Sequence, residues 1–179
     1  MRAANGRWHR VGGVWAAVLA VMALMQIDGV ALAASGNDGV LSSIEATLED
    51  SPDYEGKVVY VDFWASWCAP CKKSFPWMQT MYEEYADQGL VIVAVNLDED
   101  RHKADKFLAR SDPGFHIRYD PAARLAKQFE LQAVPTSLLF DRNGRLVSRH
   151  EGFENGGRAA LRAEIEGLLR ASRAPNLGK

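Results

Sequence analysis

Val58-Val-Tyr-Val-Asp-Phe-Trp-Ala-Ser-Trp-Cys-Ala-Pro-Cys-Lys-Lys-Ser-Phe-Pro76 decides how the rest of the chain is read. It holds both cysteines of the 179-residue sequence, Cys68 and Cys71. Val58 to Phe63 is a β-branched and aromatic run with the look of a buried strand. Lys72 to Gln88 reads as a helix. The cysteines therefore fall where a strand's carboxyl end turns into a helix's amino end. First-turn N–H groups have no helical partner there, and the helix dipole is positive. A thiolate at Cys68 is stabilised in that position, its pKa falling roughly one to five units below the ~8.5 of a free thiol. Cys71, one turn on, lies on the same helix face and can reach back to it. Pro70 fits because a first-turn N–H has no helical bond to lose.

Three readings of the pair compete. A structural staple contributes little, because so short a loop removes little unfolded-state entropy. A zinc site needs about four ligands, so His102, His116 or His150 would have to complete it, and none stands at a local ligand spacing. A redox-active dithiol is the reading that the strand–C-x-x-C–helix context favours.

Trp67-Cys68-Ala69-Pro70-Cys71 resembles the W-C-x-P-C active site of the thioredoxin superfamily. Within it, the chain is most similar to the TlpA/ResA-like exported thiol-disulfide oxidoreductases. Val61-Asp-Phe-Trp-Ala65, Lys72-Lys73 and Phe75-Pro76 fit the flanks of the motif, and Val134-Pro135-Thr136 fits a second motif far downstream. The resemblance covers roughly residues 40–170, and two motifs together are far more specific than either alone. It implies an α/β thioredoxin-like fold: a mixed central sheet of four or five strands with helices on both faces. It also implies a Cys68–Cys71 disulfide in the oxidised form.

The resemblance assigns further roles. Asp62 precedes Cys68 by six residues, as the buried acid of thioredoxins does, and would act as proton acceptor for Cys71 from beneath it. An acid in an apolar run is costly to bury unless paired or protonated, so the alternative is an inert, hydrogen-bonded Asp on the far face. One departure bears on this: many ResA-like members carry a glutamate three residues after the second cysteine, where this chain has Ser74. Any acid near the dithiol must then be Asp62. Pro135 would be the cis-proline facing the sulfurs, with the Val134 backbone pairing an extended substrate strand. Trp67 would form an apolar lid that docks substrate, beside Pro70. Trp64 and Phe63 read as core.

Composition bounds the rest. At 47% hydrophobic and 25% charged residues the chain suits one globular domain. A net charge of −2 leaves no basic footprint for nucleic acid. Residues 1–33 read as a signal peptide: Arg2, Arg7 and Arg10 precede an apolar stretch from Val11 to Ile27, and Ala31-Leu32-Ala33 is a cleavage signal. An uncleaved anchor is the alternative, and only then would the protein meet a membrane. Either way the domain lies outside the cytoplasm, where disulfide chemistry is permitted, in a bacterial periplasm. Residues 34–39 read as a linker, 40–171 as the thioredoxin-like domain and 172–179 as a flexible tail.

Further elements follow from patterning. Val40–Leu48 is expected as a helix. Pro76 should kink the first long helix without ending it, and Gly89 should cap it. Leu90–Val95 is a second buried strand, followed by acids at Asn96–Asp100 read as a solvated loop and helix start. A short helix over Ala104–Ala109, a strand over Phe115–Tyr119 and a helix from Pro121 to Phe129 come next. Ser137–Asp141 and Arg145–His150 form a hairpin around Arg142-Asn143-Gly144, and a last helix runs to Leu169 with a stripe at 161, 165, 168 and 169. His150 is read as a surface histidine.

The expected function is disulfide reduction outside the cytoplasm by Cys68 and Cys71, without a cofactor or metal, in cytochrome c maturation by resemblance. The partners are a disulfide-containing protein and a separate thiol electron donor, expected to be membrane-embedded, since the chain has no second redox centre. Three alternatives stand beside it: a disulfide oxidase or isomerase, a peroxiredoxin-type antioxidant, and a metal-binding chaperone module.

Overall fold

Seven consecutive residues, Val58–Trp64, form β1, and every one of them is buried. That happens to a strand only when both neighbours and both faces are covered. The computed structural model describes residues 54–171, and in it β1 is the middle of a five-stranded sheet. β2 (Leu90–Asn96) pairs with it in parallel, Val58 opposite Leu90 and Trp64 opposite Asn96. β3 (His116–Tyr119) extends that side in parallel. On the other side β4 (Thr136–Phe140) runs antiparallel to β1, and β5 (Leu146–Glu151) antiparallel to β4. The spatial order is β3-β2-β1-β4-β5.

Alternation along β1 divides the core in two. Val58, Tyr60 and Trp64 join Phe75, Met78 and Met81 of α1 (Ala69–Tyr85), Phe107 of α2 (Arg101–Ser111), and Leu161 and Ile165 of α4 (Asn155–Arg170). Val59, Val61 and Phe63 face the other way, onto Leu125 of α3 (Arg124–Gln128) and the ring of Phe129. Helices thus cover both faces, and the layered α/β arrangement expected from the sequence is the one observed. Below the cysteines the first layer is aromatic: Phe75 meets Trp64 at 4.7 Å, Phe107 at 4.8 Å and Phe115 at 5.6 Å between ring centroids. Trp64 and Phe63 are core, as read.

Several boundaries move. α1 starts at Ala69, three residues before the expected Lys72, and Cys68 itself is its N-cap. The helix runs through Pro76, where the loss of one N–H is tolerated, and a 3-10 turn over Ala86–Gln88 leads to Gly89 at φ +97°. α2 spans Arg101–Ser111 because the Asp100 carboxylate accepts the His102 N–H and caps it. The largest departure is α3. It begins at Arg124, not Pro121, because the Asp120 carboxylate accepts the N–H groups of Arg124, Leu125 and Ala126 across an intervening turn. Pro121 lies in that turn. The β4–β5 hairpin closes through the Asp141 N–H donating to the Arg145 carbonyl, with Gly144 at φ +77°. The expected signal segment, linker, Val40–Leu48 helix and C-terminal tail lie outside the described residues.

Candidate active site

The site begins where β1 ends. The ladder to β2 continues one step past the strand, with the Leu97 N–H donating to the Trp64 carbonyl. The chain then turns, and one carboxylate holds the turn. Asp98 accepts the Ser66 N–H at 2.8 Å and the Ser66 hydroxyl at 2.9 Å, and also the Asn96 side-chain amide at 2.7 Å. Asp98 and Asn96 are buried. The acids of Asn96–Asp100 are therefore not all a solvated loop: Asp98 faces inward and fixes the residues that present Cys68. Asn96, the first polar residue after the apolar run Leu90–Val95, was the available signal.

Cys68 caps α1 with its sulfur. The Cys71 N–H donates to Cys68 Sγ at 3.2 Å, so an N–H at the helix's positive end points at the sulfur. The two cysteines form a disulfide, S–S 2.02 Å with Cα atoms 5.3 Å apart. Cys71 is wholly enclosed, and Cys68 keeps a small exposed surface of 4%. An incoming group can reach only the first sulfur. Trp67 next to it is 68% exposed, an unusual state for an indole. Pro70, in the first turn of α1, is exposed too.

The downstream motif closes over the sulfur. The Val134–Pro135 peptide bond is cis, and the Val134 carbonyl oxygen lies 3.6 Å from Cys68 Sγ. In the reduced protein that carbonyl is within reach of the thiol S–H. Two bonds hold the loop: Thr136 hydroxyl to the Ala133 carbonyl at 2.7 Å, and Gly152 N–H to the Pro135 carbonyl at 2.8 Å. Pro135 is buried and Val134 half-buried.

Asp62 shares the β1 face of Tyr60 and Trp64, the face that α1 and both cysteines pack upon. Its carboxyl is 1% exposed, and Oδ2 has no hydrogen-bond partner. Burial pushes its pKa up to about 8, against a smaller opposite pull from the Tyr60 hydroxyl. Ser74 offers nothing acidic: its hydroxyl donates to the Cys71 carbonyl at 2.8 Å. The structure thus gathers Cys68, Cys71, Trp67, Pro70, Val134 and Pro135 around one disulfide and sets Asp62 in the layer beneath. Among the described residues, no three His, Cys, Asp or Glu side chains are grouped so as to hold a metal ion. His150 instead contacts Glu164 at 3.0 Å.

Comparison with known proteins agrees with this geometry. The Redoxin family matches residues 38–168. The thiol-disulfide oxidoreductase ResA of Geobacillus thermodenitrificans is 35% identical over 117 residues, 65% of this chain and 67% of that protein. ResA of Bacillus thuringiensis is 30% identical over 63% of this chain and 65% of its own length. The chain thus spans about two thirds of the length of these relatives. A crystal structure assigned as the thiol:disulfide interchange protein DsbE of Chlorobium tepidum superposes with a TM-score of 0.64 at 44% identity, covering 65% of this chain and 83% of that one. StoA of Bacillus subtilis superposes at 0.53 with 27% identity, covering 61% and 82%. With its layered fold, its C-x-x-C disulfide at a helix start and these relatives, the chain belongs to the Redoxin family, in the TlpA/ResA-like branch of the thioredoxin-fold thiol-disulfide oxidoreductases.

Proposed function

We propose that the protein reduces disulfides of other proteins outside the cytoplasm, in the service of cytochrome c maturation. One observation carries the chemistry: Cys68 Sγ accepts a helix-start N–H and is bonded to an enclosed Cys71. In the reduced enzyme the Cys68 thiolate attacks one sulfur of a substrate disulfide. A mixed disulfide forms, and the other substrate sulfur leaves as a thiolate. Asp62 in its ionised form takes the Cys71 proton. The Cys71 thiolate then attacks Cys68 Sγ, reforming the internal disulfide and releasing the second substrate thiolate. Two electrons have passed to the substrate, and a separate thiol donor returns them to Cys68–Cys71. No cofactor or metal takes part in these steps.

Val134 supports the substrate-binding part of this reading through its carbonyl beside Cys68, a main-chain acceptor placed for an extended peptide. Trp67 offers a flat apolar face next to the reacting sulfur. Export rests on the basic, apolar and small-residue order of residues 1–33. Among the described residues no helix is long and apolar enough to cross a membrane. The donor is inferred to be membrane-embedded, and the cytochrome c assignment follows the family resemblance.

The test is a trap. Cys71→Ser leaves Cys68 able to attack but removes the group that resolves the product. A mixed disulfide should accumulate on Cys68 with a haem-attachment protein or peptide, and Cys68→Ser should abolish it. No adduct in Cys71→Ser, with no disulfide reductase activity in the unaltered protein, would overturn the proposal.

A further inference from the structure

A buried carboxyl can take a proton from Cys71 only if it can first lose its own. Asp62 is enclosed, so that proton needs a route. The sheet register lays one out. Asp62 stands opposite Ser137 on β4, and Ser137 opposite His150 on β5. Residues directly opposite one another project to the same face, so the three form a row from the sheet's centre to its edge. Ala94 is opposite Asp62 on the other side, so β2 contributes nothing polar to it. Tyr60, two residues before Asp62, is on the same face and diagonal to Ser137, so its side chain stands beside both, and both act on the ionisation of its hydroxyl. The Trp77 ring packs against the Tyr60 ring at 5.9 Å and against Phe153 at 5.6 Å, covering that side of Tyr60 with apolar groups. On the Ser137 side a cleft of about 360 Å³ opens between β5 and the beginning of α4, lined by Ser137, His150, Gly152, Phe153, Arg158 and Leu161.

We propose that Tyr60 and Ser137 are positioning residues that carry the Asp62 proton between the buried carboxyl and this cleft. The inference rests on Asp62 serving as proton acceptor for Cys71. As a step, the Asp62 O–H gives its proton to the Tyr60 oxygen. The Tyr60 hydroxyl proton passes to Ser137, and the Ser137 hydroxyl proton passes to solvent at the mouth. Each hydroxyl ends with one proton, Asp62 ends as a carboxylate, and no electron moves. The polar groups set beside Asp62 are Tyr60 on its own strand and Ser137 on β4, while α1, which carries Cys71, packs on the same face. His150, paired with Glu164, and Arg158 stand at the mouth with Glu151 and Glu154.

The experiment is a pH jump followed by time-resolved infrared spectroscopy on the full-length oxidised protein, which needs no substrate. The Asp62 carboxyl band is assigned by its loss in Asp62→Asn. In the unaltered protein the band bleaches after a jump through about pH 8. In Ser137→Ala the bleach slows about a hundredfold, the lower end of what a positioned proton donor or acceptor supplies. Tyr60→Phe slows it likewise, and Ser137→Thr, which keeps the hydroxyl, restores it. Equal rates in Ser137→Ala and the unaltered protein overturn the proposal, as does a band that never bleaches. A normal bleach pattern with a failed Cys71→Ser trap would sink the reductase reading and keep the relay; the reverse result would sink the relay alone.

Discussion

Asp62 is the residue whose state most affects stability as well as chemistry. Its folded pKa, pushed up to about 8, exceeds that of an unfolded aspartate near 3.8. Between those values the folded protein holds a proton that the unfolded chain has released. The stabilisation is therefore complete below about pH 4 and is lost as pH rises towards 8, in total on the order of 5 kcal/mol. Urea midpoints measured across that range should fall with pH, and Asp62→Asn should remove most of the slope. A slope unchanged in Asp62→Asn would assign it to other groups. Trp67 makes a different prediction. It touches solvent, not core, so Trp67→Ala should leave the fold intact and raise KM for a protein substrate about tenfold, an interface anchor's worth. An unaltered KM in steady-state assays would deny it a docking role.

At the scale of elements, the turn between β1 and α1 depends on an acid from the next strand's exit. Asp98→Ala would orphan the Ser66 N–H and the Asn96 amide, at a cost of about 2–4 kcal/mol for the buried network. Because the same turn presents Cys68, the variant should also lose thiol-disulfide oxidoreductase activity by more than its loss of stability explains. Denaturation and turnover on the same preparation check both, and unchanged values in each would contradict this role. Asp98 shows why part of the site was not legible in advance. Asn96-Leu-Asp-Glu-Asp100 holds three acids close together, and which of them turns inward is decided by Ser66, 32 residues before Asp98. Asp100, by contrast, does what its position suggested and caps α2. The start of α3 was misplaced for a related reason. Pro121 is a good first helical residue, but Asp120 bonds three N–H groups further along and moves the start to Arg124. The cysteine motif and the strand before it were legible because local periodicity and helix-end electrostatics act within a few residues.

The whole molecule is tied at the end of the sheet remote from the cysteines. Arg142, in the β4–β5 hairpin, donates to the carbonyls of Gly56, Gln88 and Leu169, so one guanidinium joins the entry to β1, the exit of α1 and the last turn of α4. The long helices are joined again by Tyr85, whose hydroxyl donates to Glu166 at 2.6 Å, and by Arg162, which pairs with Glu84. Arg142→Ala should lower unfolding free energy by about 2–4 kcal/mol, three bonds from a charged donor being lost, and Arg142→Lys should recover little because the planar fork is missing. Chemical denaturation measures both. Full stability in Arg142→Ala would show that the hairpin is not a tie point. None of these long-range ties is visible in local patterning, whereas the centre of the sheet was, because β1 and β2 carry largely apolar runs that only a covered sheet can bury.

All of the chemistry turns on the state of one sulfur. The direct measurement is the rate of Cys68 alkylation against pH in the reduced protein carrying Cys71→Ser, so that a single thiol reports. With its sulfur at the start of α1, the rate should rise with an apparent pKa at or below about 7.5. A rise near ~8.5, as for a free thiol, would contradict the account.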